Sequence, residues 1–262
     1  MKKILIAVTV FLLTFTLLAG CIQQAGAPGT QTPTTDTAAT TTATTTAPTQ
    51  ETTEDITYEG EASSYYIDSV YPQQIKRYHT ALSEKWDADA YFENEMSTLA
   101  AHYYDGSPLD NVGFTFMDLD ADGTWELIIS AILNAEKDPL VFEIWTLKND
   151  KPVMVAQSGS RNRYYLQYAE EDDLWSVAYE AENGAANHGT YNLQLVNGEF
   201  KVVQGVVFDA MANEDAPWFM TYDLDWDVSN DTPIDEQTAT SVMKANRNTY
   251  RNVECFPYSL YK

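Results

Sequence analysis

Cysteine is scarce in this chain: among 262 residues only Cys21 and Cys255 carry a thiol. Two cysteines cannot build a disulfide framework or a thiolate zinc site. Histidine is also rare, with three residues, which leaves little for a histidine-based metal centre. The Gly-x-Ser-x-Gly, His-Glu-x-x-His and Walker A patterns are missing too, so the familiar esterase, zinc-protease and nucleotide-binding signatures are excluded.

Basic residues are also few. Fifteen Lys and Arg stand against 39 Asp and Glu, and the formal charge at pH 7 is −24. A field of this sign repels phosphate backbones, so we expect no nucleic-acid partner. The same field attracts cations and favours solubility.

The chain begins with an apolar run that is short for a membrane span. Lys2 and Lys3 precede 15 residues from Ile4 to Leu18 that contain no charge. As a helix this run spans roughly 22 Å, less than the ~30 Å hydrocarbon core. We therefore predict a signal peptide over residues 1–20 rather than a permanent transmembrane helix.

The run ends in Leu18-Ala19-Gly20-Cys21, which resembles the lipobox of bacterial lipoproteins. The resemblance implies that Cys21 carries diacylglycerol, becomes the mature N-terminus and anchors the protein on the outer side of the cell membrane. The alternative is an ordinary secretory signal in which this cysteine is present by chance.

Residues 21–54 have the composition of a disordered tether. Fourteen of the 27 residues at positions 27–53 are threonine, and most others are Ala, Pro or Gln. Such a segment buries too little apolar surface to offset its ordering entropy. We predict that it holds the following domain away from the membrane.

Residues 55–262 are predicted to form one α+β domain that begins with two helices. The first starts near Pro72 and carries a stripe of apolar residues at spacings of three and four, namely Ile75, Tyr78, Leu82 and Trp86. Asp87 or Asp89 is expected to cap a second helix. Its apolar residues are Tyr91, Met96, Leu99 and Tyr103.

The middle of the domain changes to a period of two, which predicts an antiparallel meander of about eight strands. The segments are 112–117, 127–132, 141–147, 152–156, 164–168, 174–179, 191–196 and 200–207. Lys148-Asn149-Asp150-Lys151 and Asn197-Gly198 are hairpin turn signals. Thr232-Pro233-Ile234-Asp235 has the form of a capping box, so we predict a closing C-terminal helix from there.

The strongest chemical motif is an acidic loop between two predicted strands. Asp118, Asp120 and Asp122 alternate, Gly123 permits a sharp turn, and Glu126 follows at position nine. Hard oxygen ligands in this number suit Ca²⁺. The alternative is a solvated acidic turn.

This loop is not a complete EF-hand, because position twelve is Ile129 rather than glutamate. With strands on both sides, it resembles the strand–loop–strand calcium sites of FG-GAP-type repeats. The resemblance implies a structural Ca²⁺ whose ligands are the side chains of Asp118, Asp120, Asp122 and Glu126 and the carbonyl of Thr124.

A wider likeness covers most of residues 65–260. Trp86, Pro108-Leu109-Asp110-Asn111-Val112-Gly113, the acidic loop, Arg161-Asn162-Arg163-Tyr164-Tyr165-Leu166 and Pro217-Trp218-Phe219 together resemble uncharacterised surface lipoproteins of Firmicutes. The likeness implies a surface location and no specific activity.

Two weaker features concern ligands. Asp223, Asp225, Asp227 and Asp231 form a second acidic series, which we interpret as an edge strand because no glycine follows its third aspartate. Trp218, Tyr222 and Trp226 beside it are a possible ligand surface, where aromatic rings would stack on sugars.

Together these patterns favour a cell-surface lipoprotein whose calcium-stabilised extracellular domain has a non-enzymatic binding or structural role, with a glycan or protein as partner. A carbohydrate-binding module and an extracellular hydrolase stay open as alternatives. For the hydrolase, no motif selects a catalytic carboxylate pair among 39 acidic residues.

Overall fold

An antiparallel sheet makes up most of the computed structural model, which describes residues 61–103, 105–132, 140–170 and 174–262. These residues fall in a unit that spans Glu54–Lys262. The predictions for residues 1–54, including the signal peptide, Cys21 and the tether, lie outside the described residues. No helix in the described ranges is both long enough and apolar enough to cross a bilayer.

Eleven strands are present in the described residues. They are β1 (Val112–Met117), β2 (Glu126–Ala131), β3 (Leu140–Lys148), β4 (Lys151–Gln157), β5 (Asn162–Ala169), β6 (Leu174–Glu182), β7 (Asn187–Val196), β8 (Glu199–Asp209), β9 (Trp218–Thr221), β10 (Thr232–Pro233) and β11 (Phe256–Pro257). Their spatial order is β10-β9-β8-β7-β6-β5-β3-β2-β1-β11, and β4 pairs with β3 outside this path.

The eight predicted strands are present as β1 to β8 of an antiparallel sheet, but they do not form one continuous meander, because β3 pairs with β5 and β4 lies outside the path. Both predicted hairpin turns have the expected geometry. Asn149 and Asp150 have φ values of 53° and 59°, and Asn197 and Gly198 have 54° and 72°. Two consecutive positive φ angles define the type I′ turn, whose twist matches that of the flanking strands. The last three strands are short and were not predicted.

The helical elements are short. They are α1 (Glu61–Tyr65), a π-helical turn (Tyr66–Val70), α2 (Pro72–Glu84), α3 (Ala88–Glu93), a 3₁₀ helix (Thr98–Tyr103), α4 (Pro108–Asn111), a 3₁₀ turn (Val228–Asn230), α5 (Glu236–Asn248) and a 3₁₀ turn (Tyr258–Leu260). In α2, Pro72 occupies the first turn, and Ile75, Tyr78, Ala81 and Leu82 are buried.

The single second helix expected between residues 87 and 103 is wrong. Asp87 does cap α3, since its side chain accepts a hydrogen bond from the Ala90 N–H at 2.9 Å. The helix ends after Glu93, and Glu95 adopts a left-handed φ of 54°. This backbone reversal separates α3 from the 3₁₀ helix, so the apolar residues of the expected stripe lie on two elements.

A C-terminal helix is present, but the predicted cap is wrong. The side chain of Asp235, not Thr232, accepts the capping hydrogen bond, from the Thr238 N–H at 2.7 Å. Thr232 and Pro233 instead form β10, which pairs with β9 at the edge of the sheet. Proline is tolerated there because an edge strand leaves one row of N–H positions unpaired.

Apolar side chains cover both faces of the sheet. On the first face, Phe114, Leu127 and Ile129 pack with the helices of residues 71–103. On the second face, Ile128 and Tyr191 belong to a separate cluster contributed mainly by strands. Alternate residues of β2 point to opposite faces of the sheet, and both faces are covered at this strand, so β2 is buried along its whole length.

Candidate metal centre

The acidic loop connects β1 to β2, whose register pairs Met117 directly with Glu126. Asp118 curls the loop: its Oδ1 accepts a hydrogen bond from the Asp122 N–H at 3.1 Å, and its Oδ2 accepts one from the Gly123 N–H at 3.0 Å. Gly123 has a φ of 85°, so the turn uses the backbone freedom that the sequence predicted for this position.

Three carboxylates converge inside the loop. One oxygen from each of Asp118, Asp120 and Glu126 lies within 4.8 Å of the others. Two ligands on opposite sides of one Ca²⁺ are separated by about twice the 2.3–2.6 Å bond length, or roughly 5 Å. The cluster therefore has the dimensions of a site for one metal ion.

Glu126 is the most buried of the three, with 1% of its surface exposed. It is held by two hydrogen bonds of 2.8 Å, from the Leu119 N–H to Oε2 and from the Thr146 hydroxyl to Oε1. Burial raises the pKa of the Glu126 carboxyl to about 7, against the lowering effect of these donors. The Glu126 carboxyl is therefore only partly ionised at neutral pH in the absence of a cation. A bound cation would favour the ionised form.

Asp120 has an oxygen without a partner. Its Oδ1 is buried and accepts no hydrogen bond from any described residue. Burial, with the neighbouring charge of Asp122, raises the pKa of Asp120. A buried carboxylate oxygen with no donor is costly, and a cation would satisfy it.

The two other predicted ligands are placed differently. The Oδ1 of Asp122 accepts a hydrogen bond from the Thr124 N–H at 2.7 Å, and Asp122 is not part of the carboxylate cluster. Its role in the described structure is to shape the turn. Ligation by the Thr124 carbonyl stays a prediction.

The end of the loop is fixed by aromatic residues that the sequence did not associate with the site. The Trp125 N–H donates to the Tyr66 hydroxyl at 3.1 Å, and the Tyr71 hydroxyl donates to the Trp125 carbonyl at 3.0 Å. The rings of Trp125 and Tyr66 stack with centroids 5.5 Å apart. The helical segment before α2 therefore holds the loop where it enters β2. No local sequence signal links residues so far apart.

The three aromatic residues of the possible ligand surface do not form one platform. Trp218 contacts the rings of His188 and Phe208, whereas Trp226 contacts the ring of Tyr191. His188 and Tyr191 are three residues apart on β7, so they point to opposite faces of the sheet. Tyr222 is largely exposed beyond the end of β9.

The second acidic series is not the edge strand that we expected. Asp223, Asp225 and Asp227 lie in the irregular segment between β9 and the 3₁₀ turn at Val228–Asn230. The Asp225 side chain accepts a hydrogen bond from the Asp227 N–H at 2.9 Å, and Asp227 accepts one from the Ser229 N–H at 3.0 Å. These local side-chain bonds compete with strand pairing.

A fully buried carboxylate elsewhere was also missed. Glu143 on β3 accepts hydrogen bonds from Trp145 Nε1 at 2.8 Å, from the Ser97 N–H at 3.1 Å and from Arg77 at 3.3 Å. These partners tie α2 and the segment after α3 to the sheet. Both oxygens of the Glu143 carboxylate accept hydrogen bonds, so we interpret this residue as structural.

The acidic loop therefore could hold a metal ion through Asp118, Asp120 and Glu126. No protein-family model, curated protein or solved structure matches the chain.

Proposed function

We propose that this chain is a bacterial cell-surface lipoprotein with a non-enzymatic binding or structural role. Diacylglycerol on Cys21 anchors it to the membrane, and residues 21–54 hold the domain on the extracellular side. The domain is of the α+β class, and a Ca²⁺ ion in the acidic loop stabilises it.

The convergence of three carboxylates within 4.8 Å is the observation that supports calcium. All three side chains offer hard oxygen ligands, which Ca²⁺ prefers, and neither thiol nor imidazole belongs to the cluster. Extracellular calcium modules commonly bind with Kd values of about 0.1–1 mM, so a site of modest affinity is useful outside the cell.

The role of the ion is to hold two neighbouring strands together. The loop joins β1 and β2, and β2 is buried between the two core clusters. Glu126 is itself the first residue of β2 and is paired with the last residue of β1. An ion that binds Glu126 and Asp118 therefore links the ends of both strands, and it stabilises the folded state because the unfolded chain lacks the site.

Thermal unfolding of the full chain in detergent tests the metal site. Calcium at ten times its Kd adds about 1.4 kcal/mol, which in a domain of this size raises Tm by about 3–5 °C. Asp120→Ala is expected to abolish the rise. Asp215→Ala, which removes an exposed carboxylate in another loop, is the matched control and keeps it. Equal calcium shifts in both variants would contradict the site.

Cell fractionation tests the anchor. Cys21→Ser removes the thiol that would be acylated, and we expect the protein to move from the membrane fraction to the medium. Cys255→Ser removes the other cysteine of the chain and is expected to stay with the membrane. Membrane retention of both variants would refute lipid anchoring, and it would leave the calcium experiment unaffected.

A further inference from the structure

A groove of about 470 Å³ opens between α5 and the sheet, where β5 begins, β6 ends and β7 begins. Its polar lining includes Arg161, Arg163, Glu180, His188, Lys244 and Arg247. A smaller cavity of about 350 Å³ shares Arg161, Glu182 and His188 with it, so the groove continues past the end of β6. A volume of several hundred Å³ is typical of small-molecule sites.

The groove concentrates positive charge in an acidic protein. Four of the fifteen Lys and Arg residues of the chain line it, against Glu180 and Glu182. Glu180 is already engaged: its Oε1 accepts hydrogen bonds from Arg247 at 3.1 Å and from the Tyr250 hydroxyl at 2.9 Å. Glu180 and Arg247 therefore neutralise each other, and the other three cations of the lining stand against Glu182 alone, which leaves an excess of two positive charges.

Three cations of the groove make no ion pair with any residue that the structure describes. They are Arg161, Arg163 and Lys244. In a chain with 39 acidic residues, three unpaired cations beside a single unpaired carboxylate, Glu182, are unexpected, because further carboxylates would lower the mutual repulsion of the cations. An anionic ligand would offset this excess of positive charge.

The local structure explains how these cations come together. Arg163 is the second residue of β5, Arg161 lies in the turn just before that strand, and both line the groove. Lys244 and Arg247 are three residues apart on α5, so they share one side of that helix. Arg161 and Arg163 therefore line the groove on the side of the sheet, and Lys244 and Arg247 line it on the side of α5.

We propose that this groove binds a small oxyanion, a phosphate or carboxylate group carried by a molecule of sugar size. Arginine presents a planar fork of donors that matches both groups bidentately. The overall charge of −24 repels long polyanions, so the ligand is a small molecule. The groove is built from β5 to β7 and α5 and includes no residue of the calcium loop, so it goes beyond the function proposed above.

Isothermal titration of the full chain in non-ionic detergent tests the proposal with three probes: inorganic phosphate, glucuronate and glucose. We expect saturable binding of at least one anion with a Kd of about 1 mM or below, and none of glucose. Binding of phosphate alone, or of glucuronate alone, identifies which oxyanion the groove selects. No saturable heat with either anion, or equal binding of glucose, would overturn the proposal.

Variants locate the binding. Arg163→Gln is expected to weaken anion binding about tenfold, and Arg163→Lys to weaken it less, because lysine keeps the charge without the fork. Arg251→Gln is the matched control, since Arg251 pairs with Glu170 and does not line the groove. Unchanged binding in both Arg163→Gln and Arg161→Gln would refute the site. If a variant that binds the anion less tightly has the same Tm as the native protein, loss of folding is excluded as the cause of the weaker binding.

Discussion

The buried carboxyl of Glu126 predicts how the stability of the metal-free protein depends on pH. Burial raises the pKa of this group from 4.5 to about 7 in the folded state. A carboxyl with a raised pKa binds its proton more tightly when folded than when unfolded. Stability is therefore greatest below the unfolded pKa, falls as the pH rises from 4.5 to about 7, and stays low above that.

The size of the effect follows from the shift. A pKa that rises from 4.5 to about 7 on folding corresponds to about 3 kcal/mol in the free energy of unfolding. Glu126→Gln removes the titration but keeps the shape, and its amide can still accept from the Leu119 N–H and donate to Thr146. Without calcium, we expect the variant to exceed the native protein in stability by up to about 3 kcal/mol at pH 8, and by only about 1 kcal/mol at pH 5, just above the unfolded pKa.

Urea unfolding followed by tryptophan fluorescence, in calcium-free buffers at pH 5 and pH 8, measures both proteins. Addition of calcium is expected to reverse their order at pH 8, because the ion binds the ionised carboxyl that the amide cannot replace. The reasoning would be refuted by parallel pH profiles of the two proteins without calcium. Such profiles would mean that Glu126 has an ordinary pKa and that its surroundings are wetter than the packing indicates.

Two further substitutions test the fold. Glu143→Ala leaves several buried donors without an acceptor and is expected to cost about 3 kcal/mol in urea unfolding, whereas Glu199→Ala, at an exposed ion pair, changes little. Gly113→Ala places a Cβ 2.7 Å from the Phe256 carbonyl, so we expect about 2 kcal/mol of destabilisation through the β1–β11 pairing. Gly159→Ala is its control, because the close contact there is a side-chain end that can rotate; equal costs would contradict this account.

The parts of the fold that depend on local signals were predictable from the sequence. Asn197-Gly198 fixes a hairpin because both residues accept positive φ, and the strands on either side then follow in register. The pairing of β3 with three partners was not predictable, since no local pattern states which strand lies next to which. The end of α3 before Glu95 was not predicted either, because the apolar residues keep a helical spacing on both sides of this position.

In the candidate metal site, too, local features were predictable from the sequence and distant contacts were not. Spacing alone identified Asp118, Asp120 and Glu126, because ligands of a tight loop are close in sequence. The role of Asp122 in the turn depended on hydrogen-bond geometry that the pattern does not contain. Tyr66 and Tyr71 could not be found at all, since they reach the loop from 59 and 54 residues away.

The two proposed sites use opposite charges and different parts of the sheet, so each can be disabled without the other. The loop lies between β1 and β2, whereas the groove lies between α5 and β5 to β7. At physiological ionic strength, interactions beyond about 8 Å are largely screened, so calcium in the loop adds little potential at a groove formed by other strands. Asp120→Ala should therefore abolish the calcium shift and leave anion binding intact, and Arg163→Gln should do the reverse. A loss of both functions in either variant would show that the sites are coupled through the sheet.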